Sequence, residues 1–227
     1  MFIFFSNIIY ILIKIVFFGS ESSGKTSLAS QISKKFEILC CPEYVREYLA
    51  LRNLAPNRKN IISTYNDILP MAVGQAALEK SFENYSLQTN KNLLIYDTNI
   101  ETNWIYSKFY YKKTPIILDK LVTEQKYDFY FLMYPDIAWI ADGLRDSPNN
   151  REAMHNLFKN YLIKNNRNFV EIRGNYESRF EQVYDIVKAK LFTVLLPMVL
   201  HGNFSNSKTK LCLLTLKDMA LQTCHSY

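Results

Sequence analysis

The first residues with evident chemistry form a phosphate-binding motif near the N-terminus. The segment GSESSGKT matches the pattern GxxxxGK[ST] and lies between an apolar run and a helical pattern. Glycine torsions and a helix N-terminus allow several backbone N–H groups to converge on phosphate oxygens. Lys25 is predicted to reach the β and γ phosphates of ATP, and the Thr26 hydroxyl to ligate Mg²⁺. The predicted ATP-binding residues are Gly19, Ser20, Glu21, Ser22, Ser23, Gly24, Lys25 and Thr26.

Two acidic residues follow later apolar runs, where the carboxyl ends of parallel strands would bring them to the motif. Asp97 follows LLIY and could hold Mg²⁺ directly or through water; the alternative is a helix cap. Glu43 and Arg46 lie three residues apart in PEYVREY, on one face of a helix. Glu43 could accept the proton of an acceptor hydroxyl, and Arg46 could stabilise phosphate charge. A surface ion pair is the alternative for these two residues.

A polar segment, ADGLRDSPNNRE, contains two further arginines and is predicted to be a loop. Arg145 and Arg151 in this segment could close over the phosphates as a lid, exclude water and supply positive charge in the transition state. Solvated arginines are the alternative. Trp104 and Trp139 lie near predicted strand ends, where each could stack on an aromatic ring or pack into the core.

Apolar runs alternate with helical patterns along the chain, which is typical of βαβ units and a parallel sheet. We therefore predict an α/β fold: a five-stranded parallel sheet with helices on both faces and a lid loop. The last helix is predicted over Tyr176–Leu191 with Asn175 as its cap. The predicted strands are Lys14–Phe18, Glu37–Cys41, Asn92–Tyr96, Tyr127–Tyr134 and Phe169–Arg173.

Composition and the two ends of the chain define the expected organisation. Residues 1–13 are predicted to be a hydrophobic extension, 14–191 the kinase domain and 192–227 a poorly defined tail. The apolar N-terminus lacks a basic flank and a cleavage site, and Lys14 interrupts it, so we expect no membrane role. The four cysteines show no CxxC spacing, and we expect free thiols in a cytoplasmic protein. The net charge of +6 favours anionic ligands, but no dense Lys/Arg run indicates a nucleic-acid partner.

Several stretches together resemble the ribosylnicotinamide kinase domain of NadR-type proteins. They occur in the family's order and span about Ile15 to Lys190. The chain shows no adenylyltransferase signature and no room for a repressor domain ahead of the motif, so we do not expect those activities. The matching stretches are GSESSGKTSLA, PEYVREYL, ILPMAVGQAALE, LIYDTN and YDFYFLMYPDIAWIADGLRDSPNNRE.

The resemblance implies an α/β fold like that of P-loop nucleoside and nucleotide kinases. It also implies transfer of the ATP γ-phosphate to the 5′-hydroxyl of nicotinamide riboside, with ATP and Mg²⁺ as cofactors. It implies Lys25, Glu43, Asp97 and Arg145 as catalytic residues, and it leaves open which carboxylate is the base. Arg151 would bind ATP, and Thr26 and Asp97 would bind the metal. The implied substrate-binding residues are Glu43, Arg46, Asp97, Asn99 and Trp139.

Other functions fit the same residues. The chain could be a P-loop kinase for another nucleoside or nucleotide, or an ATP-binding regulatory module without significant turnover. The aromatic stretches Asn99–Tyr111 and Tyr134–Trp139 suit the cationic pyridinium of nicotinamide riboside, which favours the first function. A homo-oligomer is compatible with the sequence.

Overall fold

The structure is a computed structural model that describes residues 4–5, 8–9, 12–53, 63–138 and 150–201, with side chains described in 12–53, 63–138 and 150–193. The chain divides into two compact units, Met1–Val183 and Tyr184–Tyr227. In its described residues, the first unit contains both sheets, six complete helices and the start of a seventh. In the second unit, only the continuation of that seventh helix is described.

Strands and helices alternate through the first unit. A two-stranded antiparallel hairpin comes first, with strands β1 (Phe4–Phe5) and β2 (Ile8–Ile9). The other strands are β3 (Ile13–Phe18), β4 (Leu39–Cys41), β5 (Leu93–Asp97), β6 (Phe129–Met133) and β7 (Phe169–Ile172). The helices are α1 (Lys25–Phe36), α2 (Tyr44–Asn53), α3 (Tyr65–Gln88), α4 (Ile100–Tyr111), α5 (Ile116–Glu124), α6 (Arg151–Lys164) and α7 (Tyr176–His201).

The main sheet has the strand order β4-β5-β3-β6-β7, and all its neighbouring strands are parallel. In the register, Phe17 of the central strand lies beside Asp97 of β5 and Phe131 of β6. The strand order reverses at β3, so right-handed crossovers place α1 on one face of the sheet and α2 to α6 on the other. The carboxyl ends of β3, β4 and β5 therefore meet at one edge, which is where ligands bind in such sheets.

Alternate residues of the central strand fill the two sides of the sheet. Val16 and Phe18 belong to a buried cluster that includes residues of α2 to α6, and the ring of Phe18 packs edge-on against Phe158 at 4.7 Å between centroids. Ile15 and Phe17 are also fully buried and point to the opposite face. Burial on both faces explains why β3 is a nearly continuous apolar run.

The predicted α/β fold with five parallel strands is confirmed. Two features were not predicted: the N-terminal hairpin, and the continuation of α7 to His201 beyond the predicted end at Leu191. The sequence after Leu191 stays apolar and offers no glycine stop before Gly202, which is consistent with the longer helix. The predicted lid loop, with Trp139 and Arg145, lies outside the described residues. Among the helices that the structure describes, none combines the length and apolar character needed to span a bilayer.

Candidate active site

A cleft of about 1200 Å³, counting its open mouth, lies at the carboxyl edge of the main sheet. Its walls come from the loop after β3 and from α1 to α4. Asp97 is not one of the lining residues, but its carboxyl group is hydrogen-bonded to the side chain of Thr26, which lines the cleft. The predicted site residues that line the cleft are Glu21, Ser22, Ser23, Gly24, Lys25, Thr26, Glu43, Arg46 and Asn99.

The loop between β3 and α1 has the backbone of a phosphate cradle. Gly19, Ser22 and Gly24 have φ angles of +137°, +52° and +83°. At Gly19 a Cβ atom would lie 2.9 Å from the Met133 carbonyl oxygen, so no side chain fits there. The Ser23 hydroxyl donates to the Ser20 carbonyl oxygen at 2.7 Å and closes the loop on itself. Because side chains are turned away or absent, the backbone can approach a ligand closely.

Lys25 begins α1 and its ammonium group lies back over the loop. Its Nζ atom donates to the carbonyl oxygens of Gly19 and Ser20 at 2.9 and 2.7 Å. No acidic residue lies in the first turn of α1, so the positive end of the helix dipole and the ammonium group act together. This end of the cleft suits a strongly anionic group such as a polyphosphate.

Asp97 ends β5 and is 5% exposed. Burial raises the pKa of its carboxyl group, although a hydrogen bond from Thr26 and the charges of Lys25 and Arg46 oppose the rise. Its Oδ1 atom has no hydrogen-bond partner within the part of the chain that the structure describes. The cap of α4 is Asn99 and not Asp97. Asp97 is thus a carboxylate with an unused oxygen beside the loop, and helix capping does not explain it.

The turn after Asp97 is held in a conformation that side chains rarely adopt. Thr98 has a φ angle of +68°, which is unusual for a β-branched residue, and its N–H donates to the Phe17 carbonyl oxygen at 3.2 Å. Such strain is typical of functional sites. It keeps Asp97 at the end of the strand and starts α4 immediately afterwards.

Glu43 and Arg46 lie on the opposite wall of the cleft. The Arg46 Nε atom is 3.3 Å from Glu43 Oε2; the two side chains are 42% and 24% exposed. Burial raises the pKa of the Glu43 carboxyl group, and the negative charge of Asp97 raises it further. The positive charges of Lys25 and Arg46 oppose this rise. Glu43, Lys25, Asp97 and Arg46 therefore interact electrostatically across one cleft, as a site for transferring an anionic group requires.

Asn99 lines the cleft, but its side chain is occupied by the start of α4. The amide oxygen accepts hydrogen bonds from the N–H and hydroxyl of Thr102, both at 3.3 Å, and the amide nitrogen donates to Glu101 at 3.1 Å. Asn99 is 1% exposed. Its assignment to substrate binding stays a prediction, and the geometry gives it a clear capping role.

A wall of tyrosines from α4 completes the cleft. Tyr106, Tyr110 and Tyr111 line it, and the rings of Tyr106 and Tyr110 stack at 6.0 Å with an angle of 10° between planes. Burial and the negative charges of Glu21 and Glu43 keep the pKa of Tyr106 well above its ordinary value. The Tyr106 hydroxyl is also hydrogen-bonded to the backbone of Glu21. These three residues were not singled out from the sequence, although they lie in the aromatic stretch Asn99–Tyr111.

Two arginines hold the loop from outside the cleft. Arg151, at the start of α6, donates to the carbonyl oxygens of Ser22 and Ile137, both at 3.0 Å. Arg179 is 1% exposed and donates to the Ser23 carbonyl oxygen at 2.7 Å. It also donates to the carbonyl oxygens of Gly174 and Tyr134 and pairs with Asp136. Arg179 was not singled out because nothing in its neighbourhood of the sequence indicates a link to Ser23.

Replacing Arg179 with methionine is expected to raise the KM for ATP about tenfold, because the loop loses its hydrogen bond at Ser23. The same change is expected to lower the free energy of unfolding by about 3 kcal/mol, because it leaves Asp136 without its partner. Steady-state kinetics and thermal unfolding measure these two effects. Arg173→Met is the matched control, since Arg173 stacks on Tyr134 at 3.6 Å but makes no contact with the loop. Equal KM values for ATP in both variants would show that Arg179 does not support the loop.

A central β3 followed by a phosphate cradle, with acidic residues at neighbouring strand ends, defines a P-loop protein of the nucleoside and nucleotide kinase type. The chain belongs to the AAA domain family AAA_28, whose model matches residues 14–179. The match covers the main sheet except for Ile13, and it includes the cleft and Arg179.

Comparison with individual proteins confirms the resemblance to NadR. The chain is 28% identical over 173 residues to the trifunctional NAD biosynthesis/regulator protein NadR of Salmonella typhimurium strain LT2, which covers 75% of this chain and 40% of that protein. A crystal structure of a NadR protein in complex with NR is similar with a TM-score of 0.62 and 19% identity, covering 79% of this chain and 49% of that one. Thymidylate kinase from Ehrlichia chaffeensis has a TM-score of 0.58 and 16% identity, covering 78% of this chain and 99% of that one. The chain thus spans less than half the length of the curated NadR relatives and shares its fold with NadR and a thymidylate kinase.

Proposed function

We propose that the protein is an ATP-dependent kinase that phosphorylates nicotinamide riboside to nicotinamide mononucleotide, a step of NAD biosynthesis. The observation that carries the proposal is the arrangement of one cleft: a phosphate cradle at one end, Glu43 and Asp97 beside it, and a wall of tyrosines that lines the same cleft. The NadR relatives favour nicotinamide riboside as the acceptor, since one of them is a NAD biosynthesis protein and another was crystallised with NR.

The reaction follows from these positions. The acceptor 5′-oxygen forms a bond to the γ-phosphorus of ATP while the bond from that phosphorus to the β,γ-bridging oxygen breaks, which leaves ADP. Glu43 or Asp97 takes the proton from the 5′-hydroxyl. Lys25 and the loop amides stabilise the charge on the transferred group. Arg46 is placed to hold the same group from the α2 side, and the tyrosines exclude water and face the cationic ring.

Thr26 and Asp97 fit a magnesium site. Mg²⁺ prefers oxygen ligands and commonly uses one or two from the protein, with waters and phosphates for the rest. The buried Asp97 Oδ1 atom without a partner in the described residues, next to the Thr26 hydroxyl, offers this donor set. When bound there, the ion would neutralise charge on the β and γ phosphates. In the described ranges no group of three or more His, Cys, Asp or Glu side chains could hold a metal by itself.

Product analysis tests the proposal directly. The purified protein is incubated with Mg-ATP and nicotinamide riboside, and nicotinamide mononucleotide and ADP are quantified by liquid chromatography and mass spectrometry. The two products are expected in equal amounts and only when riboside is present. ADP formation without the mononucleotide would overturn the proposed acceptor.

A kinase for another nucleoside or nucleotide is the second candidate, because the fold is shared almost as closely with a thymidylate kinase. Thymidine, thymidylate and deoxyadenosine belong in the same assay. Ranking of the acceptors by kcat/KM decides between the candidates, and riboside is expected to rank first.

The pH dependence should identify the base. A carboxyl group accepts a proton only when it is ionised, so kcat/KM for the acceptor is expected to fall as the pH is lowered through the pKa of that group. Burial raises the pKa of both Glu43 and Asp97, so this fall should occur above the ordinary pKa of the group that acts as the base, about 4.3 for glutamate or about 3.9 for aspartate. In Glu43→Gln, the fall in kcat/KM at low pH disappears if Glu43 is the base. It persists if Asp97 is the base. A profile that stays flat down to about pH 4 in the wild-type protein would contradict both assignments.

A further inference from the structure

Helix α3 carries two polar residues that are fully buried and that phosphate chemistry does not explain. Gln75 is 1% exposed and Glu79 is 0% exposed, one helical turn apart. Both lie within ILPMAVGQAALE, the one matching stretch to which no role was assigned. Buried polar groups of this kind require partners, and the partners show what they do.

The partners of Gln75 and Glu79 are backbone N–H groups at the two acidic turns of the cleft. The Gln75 Oε1 atom accepts from the N–H of Tyr44, the residue after Glu43, at 2.8 Å. Glu79 Oε1 accepts from the N–H of Ile100, the first residue of α4, at 3.0 Å. The Gln75 Nε2 atom donates to the same Glu79 oxygen at 3.1 Å and joins the two sites.

The contact between α3 and the Glu43 turn is also tight. At Gly74 a Cβ atom would lie 2.0 Å from Cε1 of the Tyr44 ring, so a side chain there would displace that ring. On the other side, the Tyr127 hydroxyl donates to Glu79 Oε2 and fixes the carboxyl group. These three α3 residues, Gly74, Gln75 and Glu79, will be called the α3 brace.

We propose that the α3 brace is a positioning device that sets the distance between the Glu43 turn and the Asp97–Ile100 turn, and so orients the acceptor for transfer. This inference rests on the proposed function, since both turns are assigned there to the acceptor side. Strands β4 and β5 pair side by side up to Cys41 and Tyr96, just before the two turns. Beyond that pairing, 55 residues of chain separate Tyr44 from Ile100, and the side chains of Gln75 and Glu79 join the two turns directly.

The carboxyl group of Glu79 does not have to be charged for this purpose. Burial raises the pKa of Glu79 to about 7, although hydrogen bonds from Tyr127, Gln75 and Ile100 and the charge of Lys14 oppose the rise. A glutamine can also accept the Ile100 and Gln75 hydrogen bonds through its amide oxygen. Glu79→Gln is therefore the conservative variant and Glu79→Leu the disruptive one.

The first readout is kinetic. Glu79→Leu is expected to lower kcat/KM for the acceptor about 100-fold, the effect of a misplacement of about 1 Å, while the KM for ATP stays within about twofold of wild type. Glu79→Gln should restore most of the loss. Glu83→Leu is the matched control: Glu83 lies one turn further along α3 and binds Lys14 and Tyr96 instead of a turn of the cleft. It should lose thermal stability and keep the acceptor kinetics.

The second readout does not depend on the acceptor. Amide hydrogen exchange by NMR is expected to show loss of protection at Ile100 in Glu79→Leu, at Tyr44 in Gln75→Leu, and at neither residue in Glu83→Leu. If Glu79→Leu does not fold, Gln75→Leu provides both readouts. Unchanged protection at Tyr44 and Ile100, or equal kinetic losses in Glu79→Leu and Glu83→Leu, would overturn the inference. A wild-type protein that makes no mononucleotide would overturn the proposed function alone, because the exchange data would still decide the role of the α3 brace.

Discussion

Replacing Lys25 with alanine is expected to lower kcat for phosphate transfer about a thousandfold while the fold is retained. The ammonium group lies over the loop, bound to the carbonyl oxygens of Gly19 and Ser20, and Lys25 lines the cleft. Its loss removes charge stabilisation from the transferred group but little buried volume. Single-turnover and steady-state assays measure kcat, and circular dichroism checks the fold.

Lys34→Ala is the matched control for this prediction. Lys34 lies in the last turn of the same helix and is exposed. The control should retain wild-type turnover and confirm that loss of a lysine from α1 is harmless in itself. Turnover of Lys25→Ala at the wild-type rate would show that the loop is not the site of phosphate transfer.

Replacing Asp97 with asparagine is expected to lower kcat between about 100-fold and a thousandfold and to raise the Mg²⁺ concentration needed for half-maximal activity. The amide removes the negative charge from the oxygen that has no partner in the described residues. Titration of activity with Mg²⁺ separates loss of metal affinity from loss of the base.

Stability should change in the opposite direction to activity in this variant. Because the pKa of Asp97 is raised in the folded state, ionisation of Asp97 costs stability at every pH above the unfolded value of about 3.9. Asp97→Asn is therefore expected to unfold at the same temperature as wild type or higher at pH 8. Asp119→Asn is the control, since Asp119 binds Trp104 and Thr114 outside the cleft. A variant that keeps its activity, or that loses activity only in proportion to stability, would contradict the assignment of Asp97.

The phosphate cradle and the sheet could be predicted because their signals are local. Glycines at the first and sixth positions of the motif and the lysine after them determine the loop, whatever the rest of the chain does. Asp97 and Glu43 could be placed near the loop because parallel strands bring their carboxyl ends to one edge. The alternative assignment of Asp97 as a helix cap was wrong, because Asn99 caps the helix after β5.

The supporting residues could not be predicted because their partners are distant in sequence. Arg179 binds a carbonyl oxygen 156 residues away, and an arginine on a helix is typical of an exposed surface. The roles of Gln75 and Glu79 could not be predicted for the same reason. Only the fold shows that they are buried and that they accept hydrogen bonds at the starts of α2 and α4. The role of a buried polar side chain is defined by its hydrogen-bond partners, and the tertiary structure determines which groups these are.

A crystal structure with nicotinamide riboside and a non-hydrolysable ATP analogue tests the central claim most directly. We expect that backbone N–H groups between Gly19 and Thr26 bind the terminal phosphates. We also expect that the riboside 5′-hydroxyl points at the γ-phosphorus within hydrogen-bond distance of Glu43 or Asp97. Riboside bound away from both carboxylates, or phosphates bound elsewhere than on this loop, would contradict it.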